Sequence, residues 1–118
     1  MSDPASCDVF VIFGITGDLA KVMTFRSLYR LEQRNPRSDY FLSIKVSYPN
    51  PQDQKRAHAR HWDSGGSIMI HGLPNLMKHD PDYYASHDWT DGCIAVTNAD
   101  MVEIWMLTPD DVPIDIYP

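Results

Sequence analysis

Between Tyr40 and Tyr48 the sequence YFLSIKVSY puts Phe41, Ser43, Lys45 and Ser47 on one side of a two-residue repeat and Leu42, Ile44, Val46 and Tyr48 on the other. Successive side chains of a strand point to opposite faces, so this repeat predicts a β-strand with one apolar face. Pro49 and Pro51 end it, because proline cannot donate to a ladder.

The remaining elements follow from the same reasoning. Val9-Phe10-Val11-Ile12-Phe13 is a short apolar run closed by Gly14, which predicts a buried strand and a tight turn. A helix is expected next, capped by Thr16 or Asp18, with Leu19, Val22, Met23, Phe25, Leu28, Tyr29 and Leu31 on its apolar face and Lys21, Arg26 and Arg30 outward. Asn35-Pro36 is expected to stop it, since a residue before proline disfavours the helical region. Gln52–His61 predicts a polar, solvated helix with Asp53 near its start and Gly65-Gly66 beyond its end. Ser67–Ile70 predicts a strand that delivers His71 and Gly72, and Leu73–Trp89 is read as loop. A short strand is expected over Cys93–Val96, a helix from about Asn98 to Leu107, and a strand over Val112–Tyr117. The fold class is therefore α+β.

At 118 residues the chain has the size of one small domain, in which two working active sites would be crowded. No window approaches the roughly 18 apolar residues of a membrane span. The net charge of -6 argues against nucleic acid, whose phosphates need a basic surface. That charge is uneven: Asp88–Pro118 holds seven acidic residues and no Lys or Arg, whereas Arg34–His87 has seven basic against five acidic. The opening residues MSDPASCDVF lack a basic n-region and a long apolar h-region, so nothing in them directs export. Cys7 and Cys93 form no CxxC pair, and Cys7 is assigned no role. His58, His61, His79 and His87, with Asp80 or Asp88, match no tight ligand spacing, and no metal is expected.

Two constellations can carry chemistry. The first is VIFGITGDLAK, a strand, a glycine turn and a helix start, where exposed N–H groups favour a phosphate. The longer string DVFVIFGITGDLAKVMTFRSLYRLE resembles the N-terminus of glucose-6-phosphate dehydrogenase. The resemblance implies a Rossmann-type βα unit, with Gly14, Thr16, Gly17, Asp18 and Leu19 at an NADP-contacting turn. It covers about residues 8–32, and the successive βαβ units of a complete dinucleotide site do not follow it.

The second constellation joins IMIHGLPN, Ile68–Asn75, with DWTDGCIAVTNADM, Asp88–Met101. A cysteine attacks as thiolate and a histidine within hydrogen-bond reach supplies the base, roles that Cys93 and His71 fit. Gly72 and Gly92 let a substrate carbonyl approach the backbone. From about residue 34, NPRSDYFLSIKVSYPN, GGSIMIHGLPN, WTDGCIAVTNADM and PIDIYP resemble the L,D-transpeptidase catalytic domain of the YkuD type. The resemblance implies a mixed β core with peripheral helices and acyl transfer on peptidoglycan stem peptides. Cys93 would be the nucleophile and His71 the base, with Gly92 and Cys93 offering N–H groups to the oxyanion and Thr90 at the family's Ser/Thr position. Gly72, Asp91 and Trp89 are expected to border the stem peptide, and neither a metal nor an organic cofactor is implied. The family's commoner motif has His where Asp91 stands and a polar residue where Ala95 stands, which marks a variant branch. Because the C-terminal stretch is anionic, a protonated His71 beside Cys93 is expected to support the thiolate.

The domain organisation expected from the two resemblances is a dehydrogenase-like fragment over 1–33 joined to a transpeptidase-like region over 34–118. The family's domain ordinarily begins with several strands, which this βα unit replaces. If Phe10, Ile12, Phe25 and Leu28 leave the apolar face bare, its exposed edge invites self-association. The family implies a cell-envelope location. Hydrolysis by water, an NADP-binding remnant and an inactive chimera are the alternatives to acyl transfer.

Overall fold

The computed structural model describes residues 7–12 and 27–117. The described residues form a six-stranded mixed sheet in the order β1-β6-β2-β3-β4-β5. Its strands are β1 (Phe10–Ile12), β2 (Ser27–Ser38), β3 (Phe41–Val46), β4 (Met69–His71), β5 (Ile94–Ala95) and β6 (Pro113–Ile116). Three helices accompany them, α1 (Pro51–Ala59), α2 (Pro81–Ser86) and α3 (Asn98–Leu107). Strands β1–β6 and β4–β5 pair parallel, and the other neighbours pair antiparallel.

The alternating run is β3, the centre of the sheet. Ile44, Val46 and Tyr48 on its apolar side are buried. They pack with Leu31 of β2, Ile70 of β4, Met101 and Ile104 of α3 and Ile114 of β6 in one apolar cluster. α3 lies against β3 and β4. Thr97 caps it by accepting from Asp100 N at 3.1 Å, satisfying an amide that has no helical partner.

One expectation is overturned. Ser27–Glu32, read as the end of a helix, is the first half of β2. Tyr29 and Leu31 are buried while Arg30 and Glu32 are exposed, which is a two-residue repeat. The same positions also fit a helical apolar face, and pairing with β6 decides the matter: Leu28 lies opposite Asp115 and Tyr29 opposite Ile114. Nor does Asn35-Pro36 end the element. The strand continues to Ser38 through a register shift between Asn35 and Ser38, and proline is tolerated at such a bulge. Residues 33–35, where one resemblance gives way to the other, therefore lie inside β2.

β1 appears where the apolar run predicts a strand and pairs with β6 at the sheet edge. Phe10 and Ile12 pack against the core, while Val9 and Val11 face solvent. The expected glycine turn, with Gly14, Thr16, Gly17, Asp18 and Leu19, and the helix start after it lie outside the described residues.

α1 forms within the stretch that predicts it. Asn50 and Asp53 make a reciprocal capping box, Asn50 Oδ1 accepting from Asp53 N and Asp53 Oδ2 from Asn50 N, each at 2.9 Å. Asp53 Oδ1 also accepts from Tyr29 OH at 3.0 Å, so this buried carboxylate ties the helix to β2. α2 falls within the stretch expected to be loop. It has Pro81 in its first turn and no buried residue, so no apolar periodicity announces it. Among the described residues no helix is long and apolar enough to cross a membrane.

Candidate active site

β4 ends on His71 and β5 runs parallel beside it, with Ile70 opposite Ile94 and His71 opposite Ala95. Cys93 immediately precedes β5. Cys93 lies two residues before Ala95, the register partner of His71. His71 is 4% exposed, and Cys93 is a half-buried free thiol.

The imidazole is fixed by one hydrogen bond and two rings. His71 Nδ1 lies 2.8 Å from the Gly72 carbonyl oxygen. A carbonyl only accepts, so Nδ1 carries the proton and Nε2 keeps its lone pair. The Tyr40 ring lies on the imidazole at 4.6 Å with a 30° tilt, and Trp89 meets it edge-on at 5.6 Å. Trp89 in turn contacts Tyr40 at 5.9 Å and Tyr84 of α2 at 5.1 Å. Burial pushes the imidazole below its ordinary titration range, and the bond to Gly72, which favours the protonated form, offsets this only in part. The expected protonated His71 is thus corrected: its surroundings favour a neutral ring over a standing imidazolium.

The turn before β3 positions Tyr40. Asn75 clasps it three ways: its N–H donates to Asp39 O at 2.9 Å, its Nδ2 to Ser38 O at 2.9 Å, and its Oδ1 accepts from Phe41 N at 3.0 Å. Phe41 has φ 69°, a left-handed conformation that costs on the order of 1–3 kcal/mol in a side-chain-bearing residue and has to be held from outside. Gly72 N closes the same corner by donating to Tyr40 O at 3.0 Å.

The loop into β5 has its own constraint. Thr90 Oγ1 donates to Cys93 O at 2.7 Å, and Gly92 sits at φ 95°, which glycine adopts without steric cost. A Cβ at Gly92 would meet nothing within 4 Å, so backbone conformation rather than crowding calls for glycine there. Among the described residues the N–H groups of Gly92 and Cys93 meet no protein acceptor. Gly72, expected beside the substrate, is buried; a Cβ there would collide with Asn98 Oδ1 and press on Phe41 at 3.1 Å. Its missing side chain makes room for α3. Asp91 is exposed and Trp89 half-buried at the mouth of the loop.

The structure sets Gly72 after His71 at the end of β4 and Trp89 against the imidazole, while Thr90, Gly92 and Cys93 lie in the loop that leads into the neighbouring strand β5. Tyr40, Asn75 and Tyr84 lie around the same corner; Tyr40 and Asn75 belong to strings that carry the resemblance, but the sequence assigns them no role. Of the remaining histidines, His79 and His87 stack on the two sides of Tyr83 at 3.9 and 4.2 Å. No group of three or more His, Cys, Asp or Glu side chains converges as a metal site among the described residues. Cys7 lies elsewhere, lining a cavity of about 360 Å³ with Phe10, Val96, Ile104 and Leu107.

A mixed sheet with a buried imidazole at the end of β4 and a half-buried free thiol just before its parallel neighbour β5 defines an α+β domain. The family model of the L,D-transpeptidase catalytic domain, YkuD, matches residues 14–116, and the chain belongs to that family. The helical cell shape determining protein Pgp2 from Campylobacter jejuni has a similar fold, with a TM-score of 0.55 at 22% identity over 92% of this chain and 35% of that one. Bd1075 from Bdellovibrio bacteriovorus aligns over 78% of this chain and 32% of its own, with a TM-score of 0.49 at 22% identity. The chain thus spans about a third of these solved structures. A stretch of 26 residues is 77% identical to glucose-6-phosphate 1-dehydrogenase 1 of Mycobacterium tuberculosis and Mycobacterium bovis, which is 22% of this chain and 6% of that enzyme.

Proposed function

We propose that this chain transfers acyl groups between peptidoglycan stem peptides through Cys93. The carrying observation is the imidazole of His71, buried, tied through Nδ1 to the Gly72 carbonyl, on the strand that pairs with β5, which a half-buried free thiol immediately precedes. Nε2 takes the thiol proton as sulfur attacks the carbonyl carbon of the stem peptide. The N–H groups of Gly92 and Cys93, which meet no acceptor among the described residues, receive the oxyanion. The imidazolium then gives its proton to the departing D-amino acid nitrogen, leaving a thioester. An acceptor amine attacks the thioester, its proton passes to Nε2, and the sulfur leaves to be reprotonated. Water in place of the amine gives hydrolysis by the same steps. No metal or organic cofactor enters this scheme.

The test is mass spectrometry of the intact chain after exposure to a carbapenem, with peptide mapping to score Cys7 and Cys93 separately. A covalent adduct on Cys93, lost in Cys93→Ala and slowed by about 10²–10⁴-fold in His71→Ala, is the expected result. Absence of the adduct, or unchanged iodoacetamide alkylation of Cys93 in His71→Ala, overturns the proposal. The dehydrogenase-like stretch motivates one control: NADP is expected to leave the thermal midpoint unchanged, and a rise in that midpoint would favour the NADP-binding reading.

A further inference from the structure

His71 has two ring nitrogens and one hydrogen bond. The bond to Gly72 fixes where Nδ1 points, yet a single bond at 2.8 Å leaves the imidazole free to rock about that axis. What restrains the rocking is stacking. Tyr40 covers one face at 4.6 Å with a 30° tilt, and Trp89 abuts the ring edge-on at 5.6 Å.

Tyr40 is the less expected of the two. It is 41% exposed, so it is not part of the core, and it sits in a two-residue turn between Ser38 and Phe41, a place where any polar residue would serve the chain reversal. The turn is nevertheless held in a conformation unfavourable for Phe41 by three hydrogen bonds from Asn75, with a fourth from Tyr40 N to Ser38 Oγ at 3.1 Å. A strained turn fastened this heavily, with its one aromatic side chain laid on the imidazole, has a local purpose beyond reversing direction.

We propose that Tyr40 is a positioning residue for His71: its ring fixes the plane of the imidazole and shields it from water, so that Nε2 is presented to the cleft in one orientation. The proposal rests on the thiol-transfer reading above and adds to it a residue that no catalytic motif contains. The titratable and charged groups on the elements around the ring are Tyr40 itself, Asp39 of the turn, Lys45 of β3, Asp88, Asp91 and Cys93 of the loop into β5, and Asp100 and Glu103 of α3. Tyr40→Phe and Tyr40→Ala leave every one of the other charges in place, which isolates the effect of the ring.

The experiment follows the imidazole by NMR titration of the full chain and the thiol by iodoacetamide alkylation across pH, in wild type, Tyr40→Phe and Tyr40→Ala. Removing the ring admits water, so the His71 midpoint in Tyr40→Ala is expected to rise toward the ordinary imidazole value, with alkylation of Cys93 at neutral pH falling roughly ten- to hundredfold. Tyr40→Phe is expected to keep both. Should Tyr40→Ala fail to fold, Tyr40→Ser, which likewise removes both the ring and its cover over the imidazole, is read the same way. An unmoved midpoint with an unchanged alkylation rate in the ring-less variant overturns the proposal, as does a Tyr40→Phe variant that behaves like Tyr40→Ala. Because the midpoint is read on the imidazole itself, it is independent of whether Cys93 transfers acyl groups: His71→Ala with unchanged alkylation sinks the thiol-transfer reading and leaves the titration of His71 to be judged separately.

Discussion

The protonation of His71 has a consequence for stability whose sign can be worked out. Burial lowers its titration below the ordinary value near 6.5, so the folded chain resists a proton that the unfolded chain accepts. This contribution is fully present above about pH 6.5 and is lost as pH falls from there through the lower folded value. A His71→Gln variant is expected to lose less of its thermal midpoint between neutral and mildly acidic pH than wild type does, as followed by circular dichroism; an identical decline would show that the imidazole is not desolvated. At this scale the sequence was half legible. His71 and Cys93 stand out because base and thiol are types that chemistry needs. Tyr40 and Asn75 do not, because their importance comes from a left-handed turn at Phe41, a position for which a phenylalanine gives no local signal.

Among the elements, β2 shows where pattern reading fails. Tyr29 and Leu31 satisfy both a strand repeat and a helical face, and the choice is made by β6, more than eighty residues along the chain. β3 was legible from its alternation and α3 was expected over about Asn98–Leu107, whereas α2 has neither an apolar stripe nor a buried residue to reveal it. α1 is legible from its polar run with Asp53 near the start, yet its attachment to the sheet is not. Asp53 accepts from Asn50 N and from Tyr29 OH, so one carboxylate closes the helix start and docks it. Asp53→Ala removes both bonds, at a cost of about 1–3 kcal/mol for the cap and the tie to β2 together. Urea unfolding measures it; a loss below about 0.5 kcal/mol would mean that neither bond matters to stability.

For the molecule as a whole, Ile114 is the shared position. It is fully buried, pairs with Phe10 on one side and Tyr29 on the other, and so joins the edge strand to the rest of the sheet. Ile114→Ala is expected to cost about 2–5 kcal/mol, a large part of the 5–15 kcal/mol typical of a domain. In denaturant, the His71-dependent part of Cys93 alkylation should be lost together with the circular dichroism signal, since a small domain unfolds as one unit. Separate transitions would show that the site half and the β1–β6 half melt independently. The α+β class was legible from the count and order of periodic stretches. The placement of β6 between β1 and β2 was not, because strand order is fixed by which apolar faces fit together and leaves no trace in local periodicity.

The pairings also differ in reach. Ser43 meets His71 and Ile70 meets Ile94 across modest chain separations, whereas Phe10 must find Ile114 across nearly the full described length. Closing the longer loop carries the greater entropic penalty, so during folding the strands that frame the imidazole can zip together while the β1 border still waits for its distant partner.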